Sequence, residues 1–333
     1  MSTLKIDELK NNGSAIDLPN GIKVGGNEIV QGYTSSGTEP ASPVTGDFWW
    51  DSTNELLYQY LNGEFKAIGV ASAVANWTID LSNVTYDSVS FSVASQESGL
   101  YAGPAFSLDG TKMYVSGYIS DSIHQYTLST AWDLSTASYD NVSFDGLAEG
   151  SLTGVRFKPD GLKMYFMGYT TDKTYEVDLS TAYDLSTATY NSVNYAHGGG
   201  GQAQGLFLGS EGTKLYTVDV TSDDVREHTL STAWDLSTAS YAQNLSVSTQ
   251  TGTSRDVTFN SDGTQMIILS QSGLFLYTLS TAWDISSASY TSSNASMLSQ
   301  GDGTGGISFS VDGSKMYLSA DSTDTIYQYS TGL

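Results

Sequence analysis

One phrase, STAWDLSTASY, limits what this chain can fold into more than any other feature. It occupies residues 129–139 and returns little changed at 180–190, 231–241 and 280–290. Its closing tyrosines, Tyr139, Tyr190, Tyr241 and Tyr290, follow one another at intervals of 51, 51 and 49 residues. A worn fifth copy, WTIDLSNVTY, runs over 77–86. A second phrase alternates with the first: FSLDGTKMYV from Phe106, FKPDGLKMYF from Phe157, LGSEGTKLYT from Leu208, FNSDGTQMII from Phe259 and FSVDGSKMYL from Phe309. Self-similarity at a fixed period near ~50 residues marks a repeat architecture. Everything from about residue 75 onward is one unit repeated five times.

Each unit offers four strands. The first covers 104–107 and its equivalents 155–158, 206–208, 257–260 and 307–310. A two-residue turn follows, Asp109-Gly110 and its counterparts, in which glycine supplies the positive φ of a tight hairpin. KMYV from Lys112 opens the second strand, and the third covers 123–128, 174–179, 225–230, 274–279 and 326–330. The STAWDLSTA connector leads to a fourth strand with the period-two alternation of Val89, Phe91 and Val93. Four antiparallel strands per unit of about 51 residues predict an all-β, five-bladed β-propeller. The region begins with a fourth strand and ends after a third, so the N-terminal strand is expected to complete the last blade. An open β-solenoid is the alternative, and it would leave sheet edges exposed. The Trp-Asp pairs look superficially like WD40 repeats, but the period is too long and the Gly-His dipeptide is absent.

The first seventy residues stand apart from the repeat. The opening fourteen are polar and read as disordered or partner-bound. IDLPNGIKVGGNEIVQGY reads as small hairpins, and 34–43 has linker composition. GDFWWDSTNELLYQYLNGEFKAIG predicts a three-stranded meander over 48–51, 56–61 and 64–68, turned at Asn62-Gly63. Trp49, Trp50, Tyr58, Tyr60 and Phe65 give it an apolar face, either packed within the module or used as an oligomer or anchor contact. The expected domains are therefore 1–70 for attachment or oligomerisation, a linker at 71–76, and the propeller over 77–333.

The segment TEPASPVTGDFWWDSTNELLYQYLNGEFKAI resembles a short module of bacteriophage tail-fibre and other virion proteins: a Pro-rich lead, Gly-Asp-x-Trp, an Asp-Ser turn, an aromatic strand and an Asn-Gly turn. LPNGIKVGG resembles the starts of such proteins. The resemblance covers about the first seventy residues and implies attachment or assembly. The function expected from it is a non-enzymatic virion structural protein of a tailed phage. Its propeller would be shown to a host receptor or used to decorate the capsid. Other virion proteins would be its partners, a host glycan its receptor, and a homo-oligomer, a trimer by analogy with fibres, its working form. Two alternatives come from other classes, a carbohydrate-binding lectin or adhesin and a polysaccharide-degrading enzyme.

Composition narrows the ligands. With 36 acidic against 13 basic residues the formal net charge is −23, which repels nucleic-acid phosphates and anionic lipid. No cysteine is present, so disulfides and thiolate metal sites are excluded. No apolar run approaches the ~18 residues of a membrane helix.

Copies compared within the chain differ most in the loops from fourth to first strand, around Ala94, Asp145, Ala196, Ser248 and Leu298. The turns near Asp121, Asp172, Asp223, Ser272 and Asp324 lie on the same side. A constant framework with varied loops on one face is how a binding surface is built. Glu97, Tyr101, Glu149, His197, Gln202, Arg255, Asp256 and Asp302 are the candidates there. The repeated residues read as structure. Phe106 and its equivalents pack between blades, while Trp132, Tyr183, Trp234 and Trp283, with Leu134, Leu185, Leu236 and Ile285, tuck the connector under the neighbouring blade. Asp133, Asp184, Asp235 and Asp284 cap backbone amides. The tryptophans also have a reading as sugar-stacking platforms, as in some five-bladed lectins.

No catalytic residue is assigned: no nucleophile elbow, HExxH or phosphate loop is present. A glycosidase would need two carboxylates at ~5–9.5 Å, drawn from Glu97, Glu149, Asp256 and Asp302. His124, His197 and His228 sit on two strands and a loop, and His228 aligns with Tyr126 as a strand filler. No cofactor or metal is expected. The Asp-rich turns at 321–324 and 222–224 offer carboxylates to calcium but lack EF-hand spacing.

Overall fold

A computed structural model describes strand positions in the first seventy residues and, in full, residues 76–145, 151–198, 202–294, 299–300 and 305–333. The chain divides into two compact units, Met1–Asn76 and Trp77–Leu333.

In the first unit Ile22–Val24 pairs with Asn27–Ile29 as a small hairpin. A second sheet orders Tyr33–Ser36, Phe48–Asp51, Leu56–Leu61 and Glu64–Val70 side by side. The expected meander is thus present with one strand more. Tyr33–Ser36 runs parallel to Phe48–Asp51, with Tyr33 opposite Phe48. Its Ser-rich composition reads as linker, but the residues between it and Phe48 are enough for the crossover a parallel pair needs. The side chains of Trp49, Trp50, Tyr58, Tyr60 and Phe65 lie outside the described residues.

The second unit is a five-bladed β-propeller, each blade a four-stranded antiparallel sheet. From inner to outer edge, blade 1 is Ala105–Phe106, Lys112–Ser116, Ser122–Leu128 and Ala137–Asp145. Blade 2 is Leu152–Phe157, Lys163–Gly168, Lys173–Leu179 and Ala188–Ala196. Blade 3 is Ala203–Gly209, Lys214–Asp219, Asp224–Leu230 and Ala239–Ser246. Blade 4 is Ser254–Phe259, Gln265–Ser270, Gly273–Leu279 and Ala288–Asn294. Blade 5 joins Ile307–Phe309, Lys315–Ala320 and Thr325–Ser330 to Thr85–Ser92 from the start of the repeat. Phe91 stands opposite Ile326 and Tyr86 opposite Tyr329. The last blade is therefore closed by the first strand, as the phase of the repeat requires, and no seam remains.

The outer strand begins inside the repeated phrase, at Ala137, Ala188, Ala239 and Ala288. Just beyond it, Asn141, Ser192 and Ser88 take positive φ and make a bulge against the third strand. The bulge turns Asp140 and Asp87 inward. There Lys112 and Lys315 meet them at 2.8 and 2.6 Å, with Gln125 and Gln328 beside them.

The connector explains why its residues recur. Asp133, Asp184, Asp235 and Asp284 each accept the amide two residues on, capping a one-turn 3-10 helix. The following Leu134, Leu185, Leu236 and Ile285 are buried. The aromatic before the aspartate stands on its own blade's hairpin turn, and the connector around it is tucked against the neighbouring blade as expected, the Trp283 ring also meeting Gly209 and Phe207 of blade 3. An added Cβ on Gly110, which is at φ 71°, would strike the Trp132 ring. The connector backbone is bonded to the neighbour. The fully buried Tyr165, Tyr216 and Tyr317 donate their hydroxyls to the carbonyls of Trp234, Trp283 and Trp132 at 2.6, 2.5 and 2.6 Å, and Tyr114 does the same to Tyr183. Gln125, Glu176, Glu227 and Gln328 accept from the amides of Leu185, Leu236, Ile285 and Leu134. Each blade is thus held to the next by two bonds of about 1 kcal/mol each over an apolar interface.

Blade 4 makes the same two bonds with different residues. Ile267 replaces the tyrosine and Leu276 replaces the Gln or Glu. Asn260 donates to the Trp77 carbonyl at 3.0 Å instead. Gln265, standing where the other blades have lysine, accepts from the Ile79 amide at 2.6 Å and donates to its carbonyl at 3.1 Å. The worn connector is therefore locked as firmly as the others, at the junction where the chain closes on itself.

Candidate functional site

Antiparallel order puts the first-to-second turns and the connectors at one end of the blades. The second-to-third turns and the loops entering each inner strand lie at the other end, the mouth of the channel. Three residues before the repeated Phe or Leu, the inner strands carry Gly103, Gly154, Gly205, Asp256 and Gly306. Four of the five are glycine because the strands converge there. A Cβ on Gly306 would fall on the backbone of Gly103 and Ala102.

Asp256 is the exception, and it uses the space the glycines leave. Its carboxylate accepts from the amides of Ile307 and Val257 at 2.9 Å and from that of Gly103, and faces Arg156 at 3.8 Å. One side chain of blade 4 thus touches blades 5, 1 and 2 across the axis. It is 2% exposed; burial pushes its pKa up, and the Arg156 guanidinium opposes that rise. Asp256 therefore floors the mouth.

Above this floor a polar and aromatic group gathers from four blades. Tyr101 stacks on Tyr118 with ring centroids 4.1 Å apart. The Arg255 guanidinium lies 5.5 Å from the centre of the Tyr101 ring, within cation–π range. Arg255 also donates to Gln204 Oε1 at 3.0 Å. Tyr169 hydrogen-bonds Gln202. Burial raises the Tyr169 pKa, with the nearby Arg255 charge opposing the rise. Tyr118 is pushed up to about 12, first by burial and then by its hydrogen bond with Tyr101 and by Asp321. Tyr118 and Tyr169 are therefore neutral at ordinary pH, and the group carries hydroxyls, amides, ring faces and the Arg255 charge, with the Asp321 carboxylate beside Tyr118.

Of the candidates named from sequence, Tyr101, Gln202, Arg255 and Asp256 are brought together here. Glu97 is not among them. It is buried behind Tyr118, its carboxylate held by the amides of Ile119 and Ser120 at 3.2 Å and by the Ser120 hydroxyl. His197 lies between blades 2 and 3, bonded to Thr174 at 3.0 Å and 5.1 Å from His228 ring to ring. Burial first, then the neighbouring His228 and Arg226, depress His197 to about 3. Burial and Arg226 bring His228 to about 4. Glu149 and Asp302 lie outside the described residues.

Tyr118, Tyr169, Gln204 and Arg156 were not singled out from sequence. A signal existed for the first two: Gly117-Tyr118 and Gly168-Tyr169 form a pair that blades 3, 4 and 5 do not repeat. Arg156 stands where the other blades have Ala105, Phe207, Thr258 and Ser308, and Gln204 where they have Ala102, Thr153, Arg255 and Gly305.

Most of the turn aspartates are occupied: Asp121, Asp172 and Asp223 accept amides at the entry of the next inner strand, and Asp321 accepts the Leu100 amide at 2.9 Å. Asp324 differs, its Oδ1 buried without a hydrogen-bond partner. Among the described residues no group of three or more His, Cys, Asp or Glu gathers as a metal site. The tryptophan rings stand on the turn glycines at the opposite end of the blades and form no platform at the mouth.

No protein-family model matches the chain. No curated protein matches it. Among solved structures it is similar to two proteins described as "putative 6-phosphogluconolactonase", from Bacteroides uniformis and Bacteroides fragilis. Identities are 13% and 16% and TM-scores 0.46 and 0.43; each match covers 68% of this chain and 66% of the other, just under two thirds of its length. It is also similar to a periplasmic gluconolactonase from Pseudomonas aeruginosa, at 12% identity over 74% of this chain and 68% of that one, with a TM-score of 0.41. These names correct the expectation of a non-enzymatic virion structural protein, and with it the expectation of no enzymatic activity. The three are described as lactonases, and none is a viral protein. The names belong to those proteins, and at these TM-scores they assign no reaction to this chain.

Proposed function

We propose that the protein acts through the mouth of its propeller channel, where it holds a small polyhydroxylated molecule such as a sugar derivative. The observation that carries this reading is the convergence of Tyr101, Tyr118, Tyr169, Gln202, Gln204 and Arg255 above the Asp256 floor. Four blades contribute to it, and no other blade repeats its residues. Concave sites with aromatic walls and a few convergent polar groups are the usual form of a small-molecule site. Hydroxyl-rich ligands suit paired amides and phenols, which both donate and accept.

The test is a thermal-shift panel of monosaccharides, sugar alcohols, sugar acids and sugar lactones on the wild type and on Tyr101→Ala. Support is a saturable rise in Tm for one class that the variant loses. No rise with any class, or the same rise in both proteins, overturns the reading. Glucono-1,5-lactone belongs in the panel because of the neighbours' names; acid release from it would add a hydrolytic step to the binding site.

A further inference from the structure

The chain has three arginines, and two of them are accounted for. Arg156 faces Asp256 at 3.8 Å, and Arg226 is bonded to Asp219 at 2.5 Å. Arg255 is the third. Among the described residues no carboxylate stands within ion-pair distance of it, although the chain carries 36 acidic residues and a net charge of −23. It is partly exposed at the mouth, with one face over Tyr101 and one terminal nitrogen clipped to Gln204 Oε1 at 3.0 Å.

That clip has a consequence for the pair. It uses the only acceptor Gln204 has to offer and leaves donors behind. Gln204 Nε2 and Arg255 Nε are both buried without a hydrogen-bond partner. Gln204 itself is 0% exposed. Buried donors left without acceptors are costly, and native structures seldom keep them unfilled. Beside them the Arg255 guanidinium, partly exposed and without a carboxylate partner among the described residues, offers the planar fork that suits an oxyanion with two acceptor oxygens.

We infer that the ligand of the mouth carries a carboxylate, and that Arg255, held in place by Gln204, is the residue that selects it. This rests on the proposed function and narrows it from a polyhydroxylated molecule to a polyhydroxylated acid. The carboxylate takes the place that Asp256 and Asp219 fill for the other two arginines. The sugar-like remainder of the ligand lies toward Tyr118, Tyr169 and Gln202.

The test compares D-gluconate with D-glucitol, which has the same carbon chain and hydroxyls but no carboxylate. Calorimetric titrations are run at fixed ionic strength on the wild type, Arg255→Gln and Arg255→Lys. The inference expects gluconate to bind wild type at least tenfold more tightly than glucitol. Arg255→Gln should remove that advantage, bringing the two affinities within about threefold of each other. Arg255→Lys, which keeps the charge and loses the planar fork, should retain only part of it. Equal affinity for the two compounds in wild type overturns the inference and leaves the proposed function standing. Binding of neither compound also overturns the inference, and the wider panel of sugars and lactones then decides the proposed function. Since the first comparison needs no variant, misfolding of a variant does not protect the claim.

Discussion

At the connector end, Trp132, Tyr183, Trp234, Trp283 and Trp77 do one job five times. At the mouth end, Tyr101, Gln204 and Arg255 each occur once. The contrast sorts structure from function without any other sequence for comparison. Where five copies share a geometric demand, the residue or its bond is kept. Blade 4 shows that it is the bond that is kept. Having lost the tyrosine and the Gln or Glu, it restores both contacts through Asn260 and Gln265. Where only one copy carries a residue, symmetry of the frame does not explain it. Asp256 belongs to this second kind, one carboxylate in a ring of glycines.

If this division holds, damage at the connector end should unfold the protein and damage at the mouth should not. The largest effect is expected from Gly110→Val. It combines a β-branched residue at φ 71° with a collision against Trp132, and should cost about 4 kcal/mol. Urea unfolding measures it, and an unchanged midpoint would mean that the ring is not seated on the turn.

Acid gives the next largest effect and tests a residue that crosses the division, because His197 lies at the mouth end but is packed like frame. Folding depresses His197 to about 3 and His228 to about 4. Between those values and the ordinary ~6.5 of histidine the unfolded chain binds the extra protons. Their contribution is therefore complete above ~6.5 and is lost as pH falls. At pH 5 the loss is about 2 kcal/mol per histidine. Replacing His228 with tyrosine, the residue at that position in blades 1, 4 and 5, should shrink the fall in Tm between pH 7 and pH 5 by about half. An unaltered fall would show that the pair does not carry the acid sensitivity.

The blade 4 junction sharpens the comparison further. Gln265→Lys restores the residue of the other blades but leaves the Ile79 amide and carbonyl unpaired, at a cost of about 1–2 kcal/mol. Adding Leu276→Gln, the residue that accepts the connector amide in blades 1 and 5, should recover most of it. A double-mutant cycle by thermal unfolding reads the coupling. Strict additivity would mean that the exchange is incidental. The smallest effect belongs to the mouth, where Arg255→Gln removes the donor to the buried Gln204 and should cost about 1 kcal/mol. A large loss would make Arg255 part of the frame.

The frame could be read from sequence because repetition and local chemistry pointed the same way. Asp133 and its equivalents read as caps and are caps. The phase of the repeat foretold that Thr85–Ser92 would close blade 5. The connector around Trp132 meets the neighbouring blade as its repetition implies, but spacing does not show that the ring also covers Gly110 of its own blade's turn. The mouth was located as a face, and four candidates, Tyr101, Gln202, Arg255 and Asp256, converge there. Their role depends on distances across the axis between residues up to a hundred or more apart in sequence, such as Arg156 and Asp256, and no periodicity encodes those. Glu97 shows the opposite case. A glutamate in a varied loop looks available from sequence, while its two oxygens are spent on the Ile119 and Ser120 amides. The Tyr33–Ser36 strand was missed because a parallel partner leaves no hairpin signal.

Because the chain has only three arginines, the central claim can be tested in one spectrum. Side-chain Nε–Hε resonances of the ¹⁵N-labelled protein should show one signal each for Arg156, Arg226 and Arg255, assigned by the loss of one in Arg255→Gln. On titration with D-gluconate the Arg255 signal should move and saturate while the two aspartate-paired signals stay in place. If no signal moves, or if those of Arg156 and Arg226 move and that of Arg255 does not, Arg255 is not the residue that takes a carboxylate at the mouth, and the account is contradicted at that point.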